Sequence, residues 1–273
     1  MERAHYSPPW ANTSIIGVAG SSGSAKNEYD FDSPSSIDFD VLVDRLRDLK
    51  AGCVSPKLEV GKQVEDEPLS GNVLLLPQTR QIVGMSTIIQ NPMTLEVDFI
   101  FYFDRMSAIL IERALENLHY SASRVQTPQG SDYQGLKWAG EVSAVVILRG
   151  GSCMETGLRR VVPECKSGRV LIQTNYRTGE PELHYLKLPE DLPTHDNVLI
   201  LDPQMSSGGA ALMAVRILID HGIAEENIVF VTYLAGRMGI NRLLSVYPTM
   251  KVVVCKIVED FQERWIEKRY FGC

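Results

Sequence analysis

From residue 73 onward, short apolar runs alternate with amphipathic segments along the chain. Apolar runs of strand length occur at 73–76, 144–148, 170–173, 198–201, 228–233 and 251–257. Apolar residues recur at helical spacing over 98–118, 155–161, 210–221 and 238–246. Strands that are apolar throughout and alternate with helices are typical of a mostly parallel sheet that carries helices on both faces. The pattern therefore predicts an α/β fold.

Residues 1–70 have a different character, because serine, proline, glycine and acidic residues dominate 21–38 and 54–70. Within this part, only 14–19 has the pattern of a strand and only 39–50 that of an amphipathic helix. Two isolated elements cannot bury a core. The sequence therefore predicts a partly disordered segment over 1–70 and one folded domain over 71–273.

Composition narrows the classes of function and the compartment. The net charge of -7 and the pI of about 5.3 argue against nonspecific binding to nucleic acid, which needs a basic surface. The chain contains neither a long apolar run nor the start of a signal peptide, so we expect a cytoplasmic protein that does not contact membranes. The 5 cysteines follow no CxxC spacing, which predicts free thiols and no metal site.

The stretch VLILDPQMSSGGA, residues 198–210, predicts a strand, a glycine-containing turn and a helix in direct succession. The first N–H groups of a helix lack intrahelical partners and lie at the positive end of its dipole, so such a turn suits a phosphate group. The residues of the turn that would bind phosphate are Ser206, Ser207, Gly208, Gly209 and Ala210. The Asp202 carboxylate suits ribose hydroxyls or Mg²⁺. The alternative is a glycine turn with only a structural role.

Two further strand exits carry residues that suit an anion. Arg149, Gly150 and Gly151 follow the strand at 144–148, and Ala235, Gly236 and Arg237 follow the strand at 228–233. Because ligands of open parallel sheets lie beyond the carboxyl ends of the strands, we expect these exits to meet at one site. An arginine beside two glycines suits bidentate contact with phosphate oxygens, although a surface ion pair is an alternative for Arg149.

Several motifs together resemble a known family. LILDPQMSSGG, VVILRGGSCMETGLR, LIQTNYRTGEPELHYLKLP and the terminal KRYFG, in this order, are similar to uracil phosphoribosyltransferases, in the version that follows uridine kinases. The resemblance implies a type I phosphoribosyltransferase fold, a site for phosphoribosyl pyrophosphate (PRPP) with Mg²⁺, and salvage of uracil to UMP. It also implies a homo-oligomer, or a hetero-oligomer with uridine kinase.

The resemblance also assigns roles to individual residues. The turn from Asp202 to Ala210 would hold the 5′-phosphate of PRPP, with Asp202 on the ribose hydroxyls. Arg149, Gly150 and Gly151 would match the loop that receives pyrophosphate. Asp202 and Arg149 are therefore the candidate catalytic residues, in a reaction that depends on positioning and electrostatic stabilisation.

One segment departs from the family. The family recognises uracil through a glycine-rich run shortly before its terminal RxFG, whereas this chain has VCKIVEDFQERWIEKRYFGC, with Glu259, Asp260, Phe261 and Trp265 in that region. Side chains there would obstruct close backbone approach to a base, so uracil turnover should be weak or absent. The first hypothesis is a uracil phosphoribosyltransferase, and the second is a noncatalytic partner that regulates uridine kinase or dimerises with it.

A third hypothesis, uridine kinase activity, depends on the stretch SIIGVAGSSGSAKN, which resembles the phosphate loop of uridine kinases. Gly20, Gly23 and Lys26 remain of that loop. Ala25 replaces the second glycine of the template and Asn27 replaces its Mg²⁺-binding hydroxyl. The rest of the kinase core is absent from 1–70. We therefore interpret this segment as a degenerate ATP loop without kinase activity.

Overall fold

The computed structural model of the chain describes residues 71–175, 180–259 and 263–272. The predicted elements at 14–19 and 39–50 lie outside these ranges, and so does the remnant ATP loop (Gly20, Gly23 and Lys26). Asp260 and Phe261, which were named in the departing segment, also lie outside them. Every helix and strand below belongs to one compact unit, formed by Gly61–Thr174 and Pro181–Cys273.

The described residues form strands β1–β10 and helices α1–α6. In chain order these are β1 (Val73–Leu75), α1 (Arg80–Gln90), α2 (Glu96–Leu115), β2 (Tyr120–Gln126), β3 (Asp132–Trp138), β4 (Val142–Leu148), α3 (Glu155–Val161), β5 (Lys166–Thr174), β6 (Pro181–Lys187), β7 (Asn197–Leu201), β8 (Gln204–Met205), α4 (Gly209–Asp220), β9 (Ile228–Gly236), α5 (Arg237–Val246), β10 (Lys251–Val258) and α6 (Ile266–Phe271). Short 3-10 helices lie at Gly150–Met154, Leu192–Thr194 and Glu225–Asn227.

One sheet organises the fold. Its strand order is β1-β10-β9-β7-β4-β5-β6, and β8 adds to β9 outside this path. Every pairing in it is parallel except the one between β5 and the edge strand β6. β2 and β3 form a separate antiparallel hairpin. The mostly parallel α/β sheet expected from the pattern is therefore confirmed.

Helices cover both faces of this sheet. Successive side chains of its central strands point in opposite directions, so each strand contributes to a core on either face. In β7, Leu199 and Leu201 pack in one core with α1, α2 and α3. Val198 and Ile200 pack in a second core with α4 and α5. All residues of β7 and β9 are buried, which explains why their sequences are apolar without alternation.

The sequence did not predict α1, the two strands of the β2–β3 hairpin, β6, the short β8 or α6. The hairpin and β6 are mostly exposed, so neither shows the apolar run of a buried strand. Helix α1 begins after Thr79, whose side chain accepts a hydrogen bond from the Ile82 N–H at 3.3 Å. The long helix α2 spans Glu96–Leu115, so it starts earlier and ends earlier than the predicted 98–118.

Candidate functional site

The carboxyl ends of β4, β7 and β9 lie side by side, because these strands are neighbours in the parallel sheet. β4 leads into Arg149, and β7 leads into Asp202 and β8. β9 ends at Gly236, where α5 begins. The three predicted strand exits therefore meet at the edge of the sheet where ligands of open α/β proteins bind.

The turn between β7 and α4 contains a short strand that the sequence pattern did not predict. β8 pairs with the end of β9, with Gln204 opposite Leu234 and Met205 opposite Ala235. β9 continues beyond its predicted end at residue 233 as far as Gly236, because β8 pairs with it up to Ala235 and β10 pairs with it up to Gly236. The turn is therefore fixed to the sheet over part of its length.

The start of α4 has the geometry of an anion site. Gly208 precedes the helix with a left-handed φ of 81°, and no side chain caps the helix. A Cβ atom at Gly208 would be strained and would lie 2.9 Å from the Gly239 carbonyl oxygen. Ser206 and Ser207 are partly exposed, as are Gly209 and Ala210. The first N–H groups of α4 therefore have no side-chain cap, and the main chain at Gly239 lies directly against the turn at Gly208.

Helix α5 supports this turn from behind. A Cβ atom at Gly239 would lie 2.1 Å from the Ser206 carbonyl oxygen, so only glycine fits there. The Arg242 Nη1 donates a hydrogen bond to the Ser207 carbonyl oxygen at 3.1 Å. Sequence reasoning did not identify Gly239 or Arg242. The available signal was a glycine in the first turn of a predicted helix, where it weakens the helix unless another main chain comes close.

Arg149 lies beside this turn with an exposed side chain. Within 71–175, 180–259 and 263–272, its guanidinium forms no ion pair, so the surface ion pair considered for it is not found there. Gly151 packs against the end of β7, because a Cβ atom there would lie 2.3 Å from the Leu201 carbonyl oxygen. The loop over 149–151 is therefore held close to Asp202, and its arginine has no ion-pair partner in the part of the chain that the structure describes.

The Asp202 carboxylate is already paired. Its side chain is 2% exposed, and both oxygens accept hydrogen bonds from Arg264, from Nη2 to Oδ1 at 2.5 Å and from Nη1 to Oδ2 at 3.1 Å. Arg264 is 38% exposed and contacts Glu267 at 3.9 Å. A bidentate pair of this kind is among the stronger polar contacts in proteins. The carboxylate expected on ribose is thus bound by an arginine of the same chain.

Arg264 also lies directly above the loop that follows β4. A Cβ atom at Gly150 would lie 2.5 Å from the Arg264 Nη2 and 2.8 Å from the Glu267 Oε2. Glycine at this position therefore makes room for the arginine and the glutamate. Arg264 was not among the predicted site residues, yet its side chain reaches Asp202.

The main chain around Arg264 is held by Gln204 of β8. The Gln204 side-chain amide donates to the Glu263 carbonyl oxygen at 2.9 Å and accepts from the Trp265 N–H at 3.1 Å. Gln204 is itself buried, at 2% exposure. The segment that precedes α6 is thus attached to the strand exit on both sides of Arg264.

The charges of this cluster shift two pKa values. The Asp202 carboxylate raises the pKa of the Arg264 guanidinium, so the arginine stays charged. Burial raises the pKa of the nearby Cys153 thiol, and the negative charge of Asp202 raises it further. Cys153 therefore stays a neutral thiol and is unsuited to act as a nucleophile.

Trp265 and Glu259, also named in the departing segment, contact other parts of the fold. Trp265 packs against Phe99 of α2, with ring centroids 6.1 Å apart, as part of the core. Glu259 pairs with Arg237 at 2.7 Å, at the carboxyl ends of β9 and β10. Asp260 lies outside the described residues.

The terminal KRYFG anchors α6 to α2. The Tyr270 hydroxyl donates to the buried Asp104 carboxylate at 2.7 Å, and Arg160 lies 3.6 Å from the same carboxylate. The Arg269 guanidinium lies over the Phe99 ring, 5.2 Å from its centroid. These contacts hold in place the segment that carries Arg264.

A comparison with protein families places the chain in one of them. The sequence model of the family described as uracil phosphoribosyltransferase matches residues 76–268. This chain belongs to the uracil phosphoribosyltransferase family. The uracil phosphoribosyltransferase of Dictyostelium discoideum is 41% identical over 193 residues, which cover 71% of this chain and 89% of that protein.

Members that carry a uridine kinase name are also similar. The uridine-cytidine kinase-like 1 protein of Mus musculus is 38% identical over 227 residues, or 82% of this chain. The chain spans only 41% of the length of that mouse relative. The resemblance to both groups of proteins that the motifs indicated is therefore confirmed.

Among solved structures, a protein from Aquifex aeolicus superposes with a TM-score of 0.63 at 22% identity, covering 73% of this chain and 98% of its own. This match supports the type I phosphoribosyltransferase fold and carries no information about substrate. None of the described helices has both the length and the apolar character needed to cross a membrane.

Proposed function

We propose that this member of the family binds PRPP or a nucleoside monophosphate at the α4 turn and that it converts uracil to UMP weakly or not at all. The phosphate would lie on the N–H groups around Gly208 and Gly209, with the hydroxyls of Ser206 and Ser207 as further donors. The guanidinium of Arg149, which forms no ion pair with any described residue, would receive the pyrophosphate end of PRPP.

The observation that carries this proposal is the bidentate pair between Arg264 and the buried Asp202. In the family reaction, a uracil nitrogen displaces pyrophosphate at the anomeric carbon, through a transition state with positive charge on the sugar. A free Asp202 would orient the ribose and stabilise that charge. A carboxylate that is neutralised by Arg264 does neither until the arginine leaves.

Mg²⁺ would enter with the pyrophosphate of PRPP, and oxygen ligands such as carboxylates suit it. The chemistry of Asp202 fits this role, but both of its oxygens accept hydrogen bonds from Arg264. We therefore expect PRPP to bind through its phosphate groups, with the Asp202 contact made only after Arg264 is displaced.

Titration calorimetry with PRPP and Mg²⁺ on the full chain, alongside a radiolabelled uracil assay, tests the proposal. The wild type should release or absorb heat with saturation, and Gly208→Val should not, because a branched side chain would enter the phosphate position and strain the turn. Gly130→Val is the matched control, since Gly130 has a φ of 82° in open space on the β2–β3 hairpin.

The possible outcomes separate binding from catalysis. Loss of PRPP binding in Gly208→Val with retention in Gly130→Val supports the site. Equal binding in wild type and Gly208→Val, or none in either, would reduce the turn to a structural junction. Uracil turnover of about 1 per second or faster would contradict the inhibitory role given to Arg264.

A noncatalytic partner of uridine kinase is the second candidate function. The Arg264–Asp202 pair favours it as well, because a module that binds without turnover needs no free ribose carboxylate. Residues 1–70 would then be the remnant of a kinase domain and 71–273 the ligand-binding domain. This hypothesis predicts that the chain alone does not phosphorylate uridine with ATP. An active uridine kinase mixed with the chain should change its rate when PRPP is added.

A further inference from the structure

A second cluster of ionisable side chains lies at the opposite edge of the sheet, at the amino ends of β4, β5 and β7. Glu141 precedes β4, and Lys166 is the first residue of β5. Asp191 and His195 flank the 3-10 helix Leu192–Thr194, just before β7. These residues are far from the phosphate turn along each strand, so the proposed function does not use them.

His195 is the buried member of this cluster. Its side chain is 1% exposed, and its Nδ1 forms a short hydrogen bond with the Ser143 hydroxyl. Its Nε2 is buried and forms no hydrogen bond of acceptable geometry within the described residues, although two carboxylate oxygens lie within 3.5 Å. A buried ring nitrogen without a good hydrogen bond lowers the stability of the fold, so a ligand bound to this nitrogen would raise it.

That nitrogen faces two carboxylates. The His195 Nε2 lies 3.1 Å from the Glu141 Oε2 and 3.5 Å from the Asp191 Oδ2. Zinc bonds to nitrogen and oxygen are about 2.0–2.2 Å long, so two ligands of a tetrahedral ion lie about 3.3–3.5 Å apart. The 3.5 Å separation falls in that range and the 3.1 Å separation lies just below it, while the ligand atoms of all three residues lie within 4.8 Å of one another. One imidazole and two carboxylates are also a common ligand set for such an ion.

Lys166 places a positive charge beside the same two carboxylates. Its Nζ lies 3.2 Å from the Glu141 Oε2 and 2.5 Å from the Asp191 Oδ2, so the ammonium group neutralises both carboxylates. Lys166 is 46% exposed, and its flexible side chain can leave for solvent. An ammonium group uses only the two carboxylates, whereas a metal ion would also use the His195 Nε2.

We propose that Glu141, Asp191 and His195 form a site for a divalent cation of the zinc class, which replaces the Lys166 ammonium group. With Nε2 as the metal ligand, the His195 Nδ1–H would donate its hydrogen bond to the Ser143 hydroxyl oxygen and orient the ring, as in other metal-binding histidines. The ion would join the chain before β4 to the chain before β7. It would therefore stabilise the fold without touching the PRPP site.

Titration of the metal-free full chain with Zn²⁺, and with Co²⁺ as a spectroscopic probe, tests the site. The wild type should bind one equivalent with saturation at micromolar Zn²⁺ and gain thermal stability. Lys166→Met should bind at least about tenfold more tightly, because the competing cation is removed. Glu141→Gln and His195→Gln should each bind at least about tenfold more weakly, within the range for loss of a group that supports a metal site.

Controls separate this site from other metal ligands. His184→Gln removes an exposed histidine near Glu182 and should leave zinc affinity unchanged. The Co²⁺ spectrum should lack the intense near-ultraviolet band of a cobalt–thiolate bond, which excludes the cysteines. Glu141 is 66% exposed, so its variant tests the site even if His195→Gln folds poorly. No saturable binding to the wild type, or unchanged binding in Glu141→Gln, would identify the cluster as an ion-pair network only.

Discussion

Replacement of Arg264 by methionine should lower the stability of the fold and at the same time raise the affinity for PRPP. The change keeps an unbranched side chain but removes the guanidinium that pairs with Asp202. The carboxylate is 2% exposed and would keep the Gln204 N–H, at 3.4 Å, as a donor. Ligand binding would gain, because PRPP would no longer have to displace the arginine.

The size of the stability loss follows from burial. Breaking a fully buried ion pair costs about 3–5 kcal/mol, because the remaining charge is left without compensation. Arg264 is 38% exposed, so water can reach the carboxylate, and we discount the loss to about 2 kcal/mol. For a domain of this size that corresponds to a fall in Tm of about 4–8 °C. Arg264→Met with Asp202→Asn should recover about half of the loss, since no buried charge remains.

Urea denaturation and PRPP calorimetry on the same variants measure both effects. We expect the Kd for PRPP to fall by about tenfold or more in Arg264→Met, which corresponds to about 1.4 kcal/mol. Arg216→Met is the matched control, because Arg216 forms an exposed pair with Asp220 on α4 and should change stability by less than about 0.5 kcal/mol. If Arg264→Met matches the wild type in both stability and Kd, the role of this pair has been misjudged.

Two further predictions concern stability. Burial raises the pKa of Cys165 and of Cys255 from 9.0 to about 11. The unfolded chain loses these protons near pH 9 and the folded protein keeps them, so stability should fall between about pH 9 and 11, by about 2–3 kcal/mol per thiol. Urea midpoints against pH should show this fall in the wild type, and a Cys165→Ala, Cys255→Ala variant should show a flatter profile. Tyr270→Phe should lower stability by about 1.5–3 kcal/mol, because the buried Asp104 loses its 2.7 Å donor, whereas Tyr133→Phe on the exposed hairpin should have almost no effect.

The central strands were predictable because burial on both faces leaves an unmistakable apolar run, as in β7 and β9. Their parallel pairing placed Arg149 and Asp202 at one edge, as expected from the sequence. The exposed hairpin was not predictable, because Tyr133 and Leu136 lie on strands that have no buried face.

The Arg264–Asp202 pair was beyond sequence reasoning for another reason. The two residues are 62 positions apart, and nothing in their local sequence indicates which carboxylate a given arginine reaches. The segment 259–267 was singled out in the sequence by its lack of glycine and not by this arginine. The cluster around His195 was missed likewise, since its members come from three separate strand starts.

The attachment of Gln204 to both neighbours of Arg264 has a kinetic consequence. Because the main chain is held at the Glu263 oxygen and the Trp265 nitrogen, Arg264 can leave Asp202 by rotation about its own side-chain bonds alone. Such rotations of partly exposed side chains take picoseconds to nanoseconds, whereas loop opening takes far longer. Association of PRPP should therefore proceed in a single exponential phase whose rate rises linearly with concentration, with no plateau from a slow opening step.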